Sequence, residues 1–191
     1  MKKIITASLL VMLIPLFAEG GIIKVIGGLS SAKYNPRVGS SDSKMGLTGG
    51  VGIETGIAKG RFEADILFSY DRIDFISSPT NVNYYKFLKF TMPLLFKYKF
   101  KKYNFPFIVA GGSCSLTFAE RTDSLGKILK DGKTDTFMDF GLVVGAGIEI
   151  DLKRSALMIE GRYYKGLANL KLGTSEFKSS GFYVLFGIKF L

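Results

Sequence analysis

Lys86–Phe100 reads KFLKFTMPLLFKYKF. Its even positions are Leu88, Phe90, Met92, Leu94, Phe96, Tyr98 and Phe100, all apolar. Its odd positions are Phe87, Lys89, Thr91, Pro93, Leu95, Lys97 and Lys99. A period of two is that of a strand with one apolar face and one mixed face. A helix would scatter the lysines around its circumference. What decides the fold is therefore where the apolar face points, to a protein core or to lipid.

The same alternation recurs along the chain. Ile23, Val25, Gly27 and Leu29 oppose Lys24, Ile26, Gly28 and Ser30. Leu47, Val51, Ile53 and Ile57 oppose Thr48, Gly50, Gly52, Glu54 and Gly56. Phe62 to Tyr70 alternate with Glu63, Asp65, Leu67, Ser69 and Asp71, and Ile108 to Phe118 behave likewise. Met138 to Leu152 alternate with Asp139, Gly141, Val143, Gly145, Gly147, Glu149 and Asp151. Leu157, Ile159 and Tyr163 oppose Met158, Glu160, Arg162 and Tyr164; Phe182 to Phe190 oppose Gly181, Tyr183, Leu185, Gly187 and Lys189. These patterns predict eight strands, most of about ten residues or more, against about 5–6 in globular sheets and about 9–11 for a membrane crossing.

Short turns are predicted at Ala58–Gly60, Lys101–Asn104 and Lys153–Ser155, and long polar loops near Lys33–Lys44, Arg72–Asn83, Ala119–Thr134 and Ala168–Ser180. Short and long connections alternate. That is the expected pattern of an all-β, eight-stranded antiparallel up-and-down transmembrane barrel, with the short turns on the periplasmic side. The non-apolar face is built of Gly, Ser, Thr and isolated charges, which suits the crowded lumen of so small a barrel better than an aqueous surface. The apolar face should therefore meet lipid.

The N-terminus, MKKIITASLLVMLIPLFAEG, has a basic start at Lys2 and Lys3 and an apolar run from Ile4 to Phe17. It reads as a signal peptide over residues 1–18, leaving 19–191 as an outer-membrane barrel domain. The 191-residue chain carries a net charge of +10, or +8 without Lys2 and Lys3. No basic run favours nucleic acid. The four loops carry about +2, 0, +1 and +1, which makes outer-membrane lipid, lipopolysaccharide included, the expected partner of a monomer.

Charges inside a barrel persist when paired. Parity selects Lys24, Glu54, Glu63, Asp65, Lys89, Lys97, Asp139, Glu149, Glu160 and Arg162 as a lumenal ion-pair network that plugs the barrel. Tyr70, Tyr84, Tyr98, Tyr103, Tyr163 and Phe190 fall near strand ends, as candidates for interfacial girdles. The chain has no His and a single Cys, Cys114. That removes His-based general bases, His or Cys metal clusters and intramolecular disulfides. The glycine-rich stretches lack the strand–turn–helix setting of a phosphate loop. No enzyme, cofactor or metal is expected. The alternatives are a narrow pore for ions or small solutes and a soluble periplasmic lipocalin-like ligand-binding barrel.

The order and spacing of GGLSSAKY (27–34), GGVGIETGI (49–57), YYKFLKFTMPLLFKYKF (84–100), PFIVAGGSCS (106–115), DFGLVVGAGIEID (139–151) and IEGRYYKGL (159–167) resemble the PorT-type outer-membrane barrel proteins. The resemblance covers nearly all of 19–191. It implies the barrel fold and the outer-membrane location, and no single activity. The ending GFYVLFGIKFL resembles the C-terminal signal read by the barrel-assembly machinery, the partner expected during insertion, although it ends in Leu191 after Phe190.

Overall fold

The computed structural model describes residues 21–36, 40–43, 45–57, 60–78, 81–100, 105–122, 135–172 and 175–190, with backbone alone at 35–36, 40–43, 57, 73–78, 81–85, 105, 121–122, 171–172 and 175–176. Among these residues ten strands form one sheet: β1 (Ile22–Pro36), β2 (Ser40–Ser43), β3 (Met45–Ile57), β4 (Gly60–Ser78), β5 (Asn81–Lys99), β6 (Phe105–Thr122), β7 (Asp135–Asp151), β8 (Ser155–Gly166), β9 (Leu170–Leu172) and β10 (Ser175–Phe190). Eight of them, β1, β3 to β8 and β10, pair antiparallel in sequence order. β1 closes the ring by pairing with β10 from Ile23–Phe190 to Pro36–Phe177. Closure leaves no free edge, as a sheet in lipid requires.

The faces divide by parity. In β5, Leu88, Leu94, Phe96 and Tyr98 are exposed, while Phe87, Lys89, Leu95, Lys97 and Lys99 are buried. Lys189 is fully buried beside an exposed Ile188, and Lys24 lies between exposed Ile23 and Val25. Among the described residues 31 large hydrophobic side chains are exposed, nearly all of them on the outer wall. A water-soluble barrel would turn that face inward, since a contiguous apolar surface of this size marks a membrane or partner contact. The soluble lipocalin-like alternative is thereby overturned.

The eight crossing strands run from the 12 residues of β8 to the 19 of β4 and β5. That exceeds the about 9–11 residues a crossing needs, so their ends extend beyond the bilayer. The excess corrects the loop expectation. Most of Arg72–Asn83 is strand: β4 and β5 continue as a hairpin to Ser78 and Asn81, with Ile76 opposite Val82. β-branched and aromatic residues at Ile73, Phe75, Ile76 and Val82 sustain pairing after the lipid-facing alternation ends. β2, inside the first expected loop, pairs with β4 from Ser40–Ile76 to Ser43–Ile73. In the fourth expected loop, β9 pairs with the start of β10. The expected signal peptide and most of the third loop lie outside the described residues.

Candidate functional site: the barrel lumen

Two regions fill the lumen. The first occupies the half nearest the short turns. There Arg162 reaches across the barrel from β8 to β4. Its Nη1 donates to Asp65 Oδ2 at 2.6 Å, its Nη2 donates to Glu63, and its Nε and Nη2 engage Glu160 at 2.6 and 2.8 Å. Lys24 Nζ lies 2.5 Å from Glu63 Oε1 and 2.8 Å from Asp65 Oδ1. Closer to the turns, Glu54 accepts from Arg61 at 2.8 Å, from Lys97 at 3.3 Å and from Lys189. Glu149 accepts from Lys97 and Lys99, each at 2.6 Å, and from Lys189. Lys99 also lies 3.8 Å from Asp151 at the rim.

Six cations thus meet six carboxylates in the described network. The balance matters because a buried charge missing its partner costs several kcal/mol, whereas a fully paired set offsets its own desolvation. Neither half of the network balances alone. Lys24 and Arg162 face three carboxylates, and Arg61, Lys97, Lys99 and Lys189 face the other three. Neutrality belongs to the two together.

The inner-face glycines make room for this network. Gly52 pairs with Lys24 on one side and Asp65 on the other, and a Cβ there would collide with the Asp65 carboxylate and with Lys24 Cε. A Cβ on Gly145 would press against Arg162 Cγ and Val109. Buried Ile26, Leu95, Val109, Met158 and Leu185 interleave with the charges. Lys97 Nζ stands 3.8 Å over the Phe107 ring. Low-dielectric packing of this kind strengthens each ion pair and raises the cost of breaking one.

The second region, in the half nearest the long connections, is organised differently. Lys89 is buried, yet among the described residues it joins no ion pair. Its Nζ lies 4.0 Å above the Tyr164 ring and 3.5 Å from the Tyr183 hydroxyl. Tyr164 donates its own hydroxyl to Asp139 Oδ2 at 2.6 Å, and Asp139 also accepts from Ser179 and from the Ala168 amide. Asp71 accepts from Ser30 at 2.6 Å, and the Thr48 and Ser69 hydroxyls are 2.9 Å apart. Above them four buried rings meet: Tyr34 stacks on Phe87 at 4.8 Å, and Phe177 meets Tyr34 and Phe137 edge-on at 5.2 and 5.6 Å.

Of the ten residues selected by parity, the structure places Lys24, Glu54, Glu63, Asp65, Lys97, Glu149, Glu160 and Arg162 in the ion-pair network. It places Lys89 and Asp139 apart from it, on the two sides of Tyr164. Sequence reasoning left out Arg61, Lys99, Asp151 and Lys189. Their signal was available: Arg61, Lys99 and Asp151 share parity with the selected Glu63, Lys97 and Glu149 on their strands, and Lys189 shares the inner face of Leu185. Tyr164 and Tyr183 were also on inner faces, but nothing local marks a tyrosine as the companion of a lysine. Of the aromatic candidates, Tyr70, Tyr98, Tyr163 and Phe190 are exposed on the outer wall. Tyr98 is the register partner of Gly60, and Phe190 of Ile23, both at the short-turn end. The Tyr84 side chain and Tyr103 lie outside the described residues.

Among solved structures, OprG from Pseudomonas aeruginosa superposes with a TM-score of 0.60 at 13% identity, over 90% of this chain and 96% of that one. Neisserial surface protein A gives 0.55 at 18% identity, over 90% and 97%. Ail, the attachment invasion locus protein of Yersinia pestis, in complex with the heparin analogue sucrose octasulfate, gives 0.50 at 14% identity, over 90% and 99%. At these identities the likeness is one of fold. Comparison with curated proteins finds no matching sequence. The family model for the outer membrane protein beta-barrel domain matches residues 20–172, so the chain belongs to that family and is a protein of the outer membrane.

Proposed function

We propose that this protein is a monomeric, non-catalytic outer-membrane barrel with a plugged lumen. Its role is structural, or a surface interaction made through the extracellular connections. The observation that carries this reading is the filling of the lumen by mutually paired charges, with Arg162 spanning from β8 to Glu63 and Asp65 on β4. An ion entering from the short-turn side meets charged side chains already engaged in ion pairs with one another. An eight-stranded barrel has space for side chains or one small ligand and little more.

Conductance tests it. In planar bilayers the purified protein, heat-modifiable on gels, is expected to give no discrete current steps at 1 M salt, a high-salt condition of the kind that screens exposed charges. Reproducible ohmic steps from the folded form would replace the plug with the pore reading.

The mildly basic loops favour an anionic partner, and the outer leaflet offers lipopolysaccharide phosphates. Ail, which shares the fold, was crystallised with a sulfated polyanion. Within the family, the order and spacing of the motifs support a likeness to the PorT-type barrels, a likeness that carries no activity.

A further inference from the structure

The outer wall of β8, β10 and β1 can be followed in register from one end to the other. At the long-connection end, Lys165 pairs with Ser180, and Ser180 pairs with Lys33. One outward position further along β10 stands Lys178, paired with Asn35. Lys33, Lys165 and Lys178 are all exposed, and among the described residues none joins an ion pair. Directly beneath them are Tyr163 and Phe182, which pair with each other and are about half exposed. Below those come Leu29 and Val184, then Ile159 and Phe186, then Leu157 and Ile188.

The dimensions are those of a bilayer. Lys165 lies ten residues from Ser155, the first residue of β8 at the opposite end. At about 3.3 Å per residue and a tilt near 40° that is roughly 25 Å, the height of the apolar band of such barrels. The lysines therefore stand at headgroup level, above a wall that is apolar apart from Ser31 beside Phe182. Lys33 and Lys165 flank β10 at roughly 10 Å, two interstrand spacings, with Lys178 completing the triangle. On β4, β5 and β6 the same level differs: Arg72, Lys86 and Glu120 stand in register, so a carboxylate shares that row.

We propose that Lys33, Lys165 and Lys178 form a wall site for the phosphates of a bisphosphorylated outer-leaflet glycolipid of the lipid A type, whose acyl chains lie along Tyr163, Phe182, Leu29 and Phe186. The partner must be anionic at the head and apolar below, because the patch is. Separated cations suit two phosphates on one sugar backbone better than a single phosphodiester. The site rests on the outer-membrane orientation proposed above, but it shifts recognition of lipopolysaccharide from the loops to the barrel wall.

The test measures binding of diphosphoryl lipid A to the full-length detergent-solubilised protein by native mass spectrometry, with phosphatidylglycerol as competitor. The comparison is among wild type, a K33Q/K165Q/K178Q triple variant and a K153Q/R154Q control at the other end. All three should remain heat-modifiable, since the substituted side chains point outward. The triple variant is expected to lose at least about tenfold in affinity, as juxtamembrane lysines each contribute measurably to anionic-lipid binding. The control should match wild type, and phosphatidylglycerol should compete poorly. Unchanged binding by the triple variant, an equal loss in the control, or equal competition by phosphatidylglycerol would overturn the proposal. Conductance by wild type would count against the plug reading while leaving the lipid measurement interpretable.

Discussion

The two halves of the lumen handle buried charge in opposite ways. Near the short turns every cation of the network meets carboxylate directly, as Lys97 and Lys189 meet both Glu54 and Glu149. Near the long connections Lys89 meets an aromatic face and a hydroxyl, with Asp139 reached only through Tyr164. A network of shared partners is neutral as a whole, so removing one member strands several others. Removing a lysine held on rings breaks no described ion pair, and Asp139 keeps its bonds from Tyr164 and Ser179. The first region should therefore be brittle toward the loss of a single charge and the second tolerant of it.

The largest break is Arg162→Met. It leaves Glu63, Asp65 and Glu160 with Lys24 as their remaining described cation. Loss of one partner from a buried ionic set costs about 3–5 kcal/mol, and three carboxylates left with one lysine between them place this variant at the upper end. Urea titration of the folded, heat-modifiable band should show the midpoint falling sharply. Phe87→Ala comes next. The ring is fully buried and touches Tyr34 and Phe137. Truncation of a core aromatic costs about 3 kcal/mol at the lower end of its range, and the same titration reads it.

Lys89→Met sharpens the contrast from the other side. It removes a desolvated ammonium, keeps the stem volume and leaves Asp139 with its bonds from Tyr164 and Ser179. The stability read from its urea titration should change by less than about 1 kcal/mol in either direction, since the loss of one long hydrogen bond and a ring contact is offset by relief of the ammonium's desolvation. A drop as large as that of Arg162→Met would erase the distinction between the two halves. Smallest of all is Lys153→Gln, an exposed position between β7 and β8, where no shift in the midpoint should be detectable.

Much of this architecture was legible in the sequence, and the reason is geometric. Side chains in a strand alternate strictly, so KFLKFTMPLLFKYKF assigns Leu88 and Phe96 to one medium and Lys89 and Lys97 to the other without reference to any other strand. The same parity put Glu54, Glu63, Asp65, Glu149 and Arg162 in the lumen. Strand ends were less legible, because the lipid-facing alternation stops at the bilayer surface while pairing of β4 with β5 continues to Ser78 and Asn81.

The sequence by itself determined the number of crossing strands, the face each presents and the sign of each inward charge, since these follow from local periodicity. Only the tertiary structure decided which charges meet. Arg162 and Asp65 are 97 residues apart, and Lys189 and Glu54 are 135 apart. Their contact depends on the closure of β1 on β10 and on the stagger of each pair, sums over the whole ring that no single strand encodes. The same holds for Lys33, Lys165 and Lys178: three unremarkable lysines along the chain become one patch because β10 lies between β1 and β8.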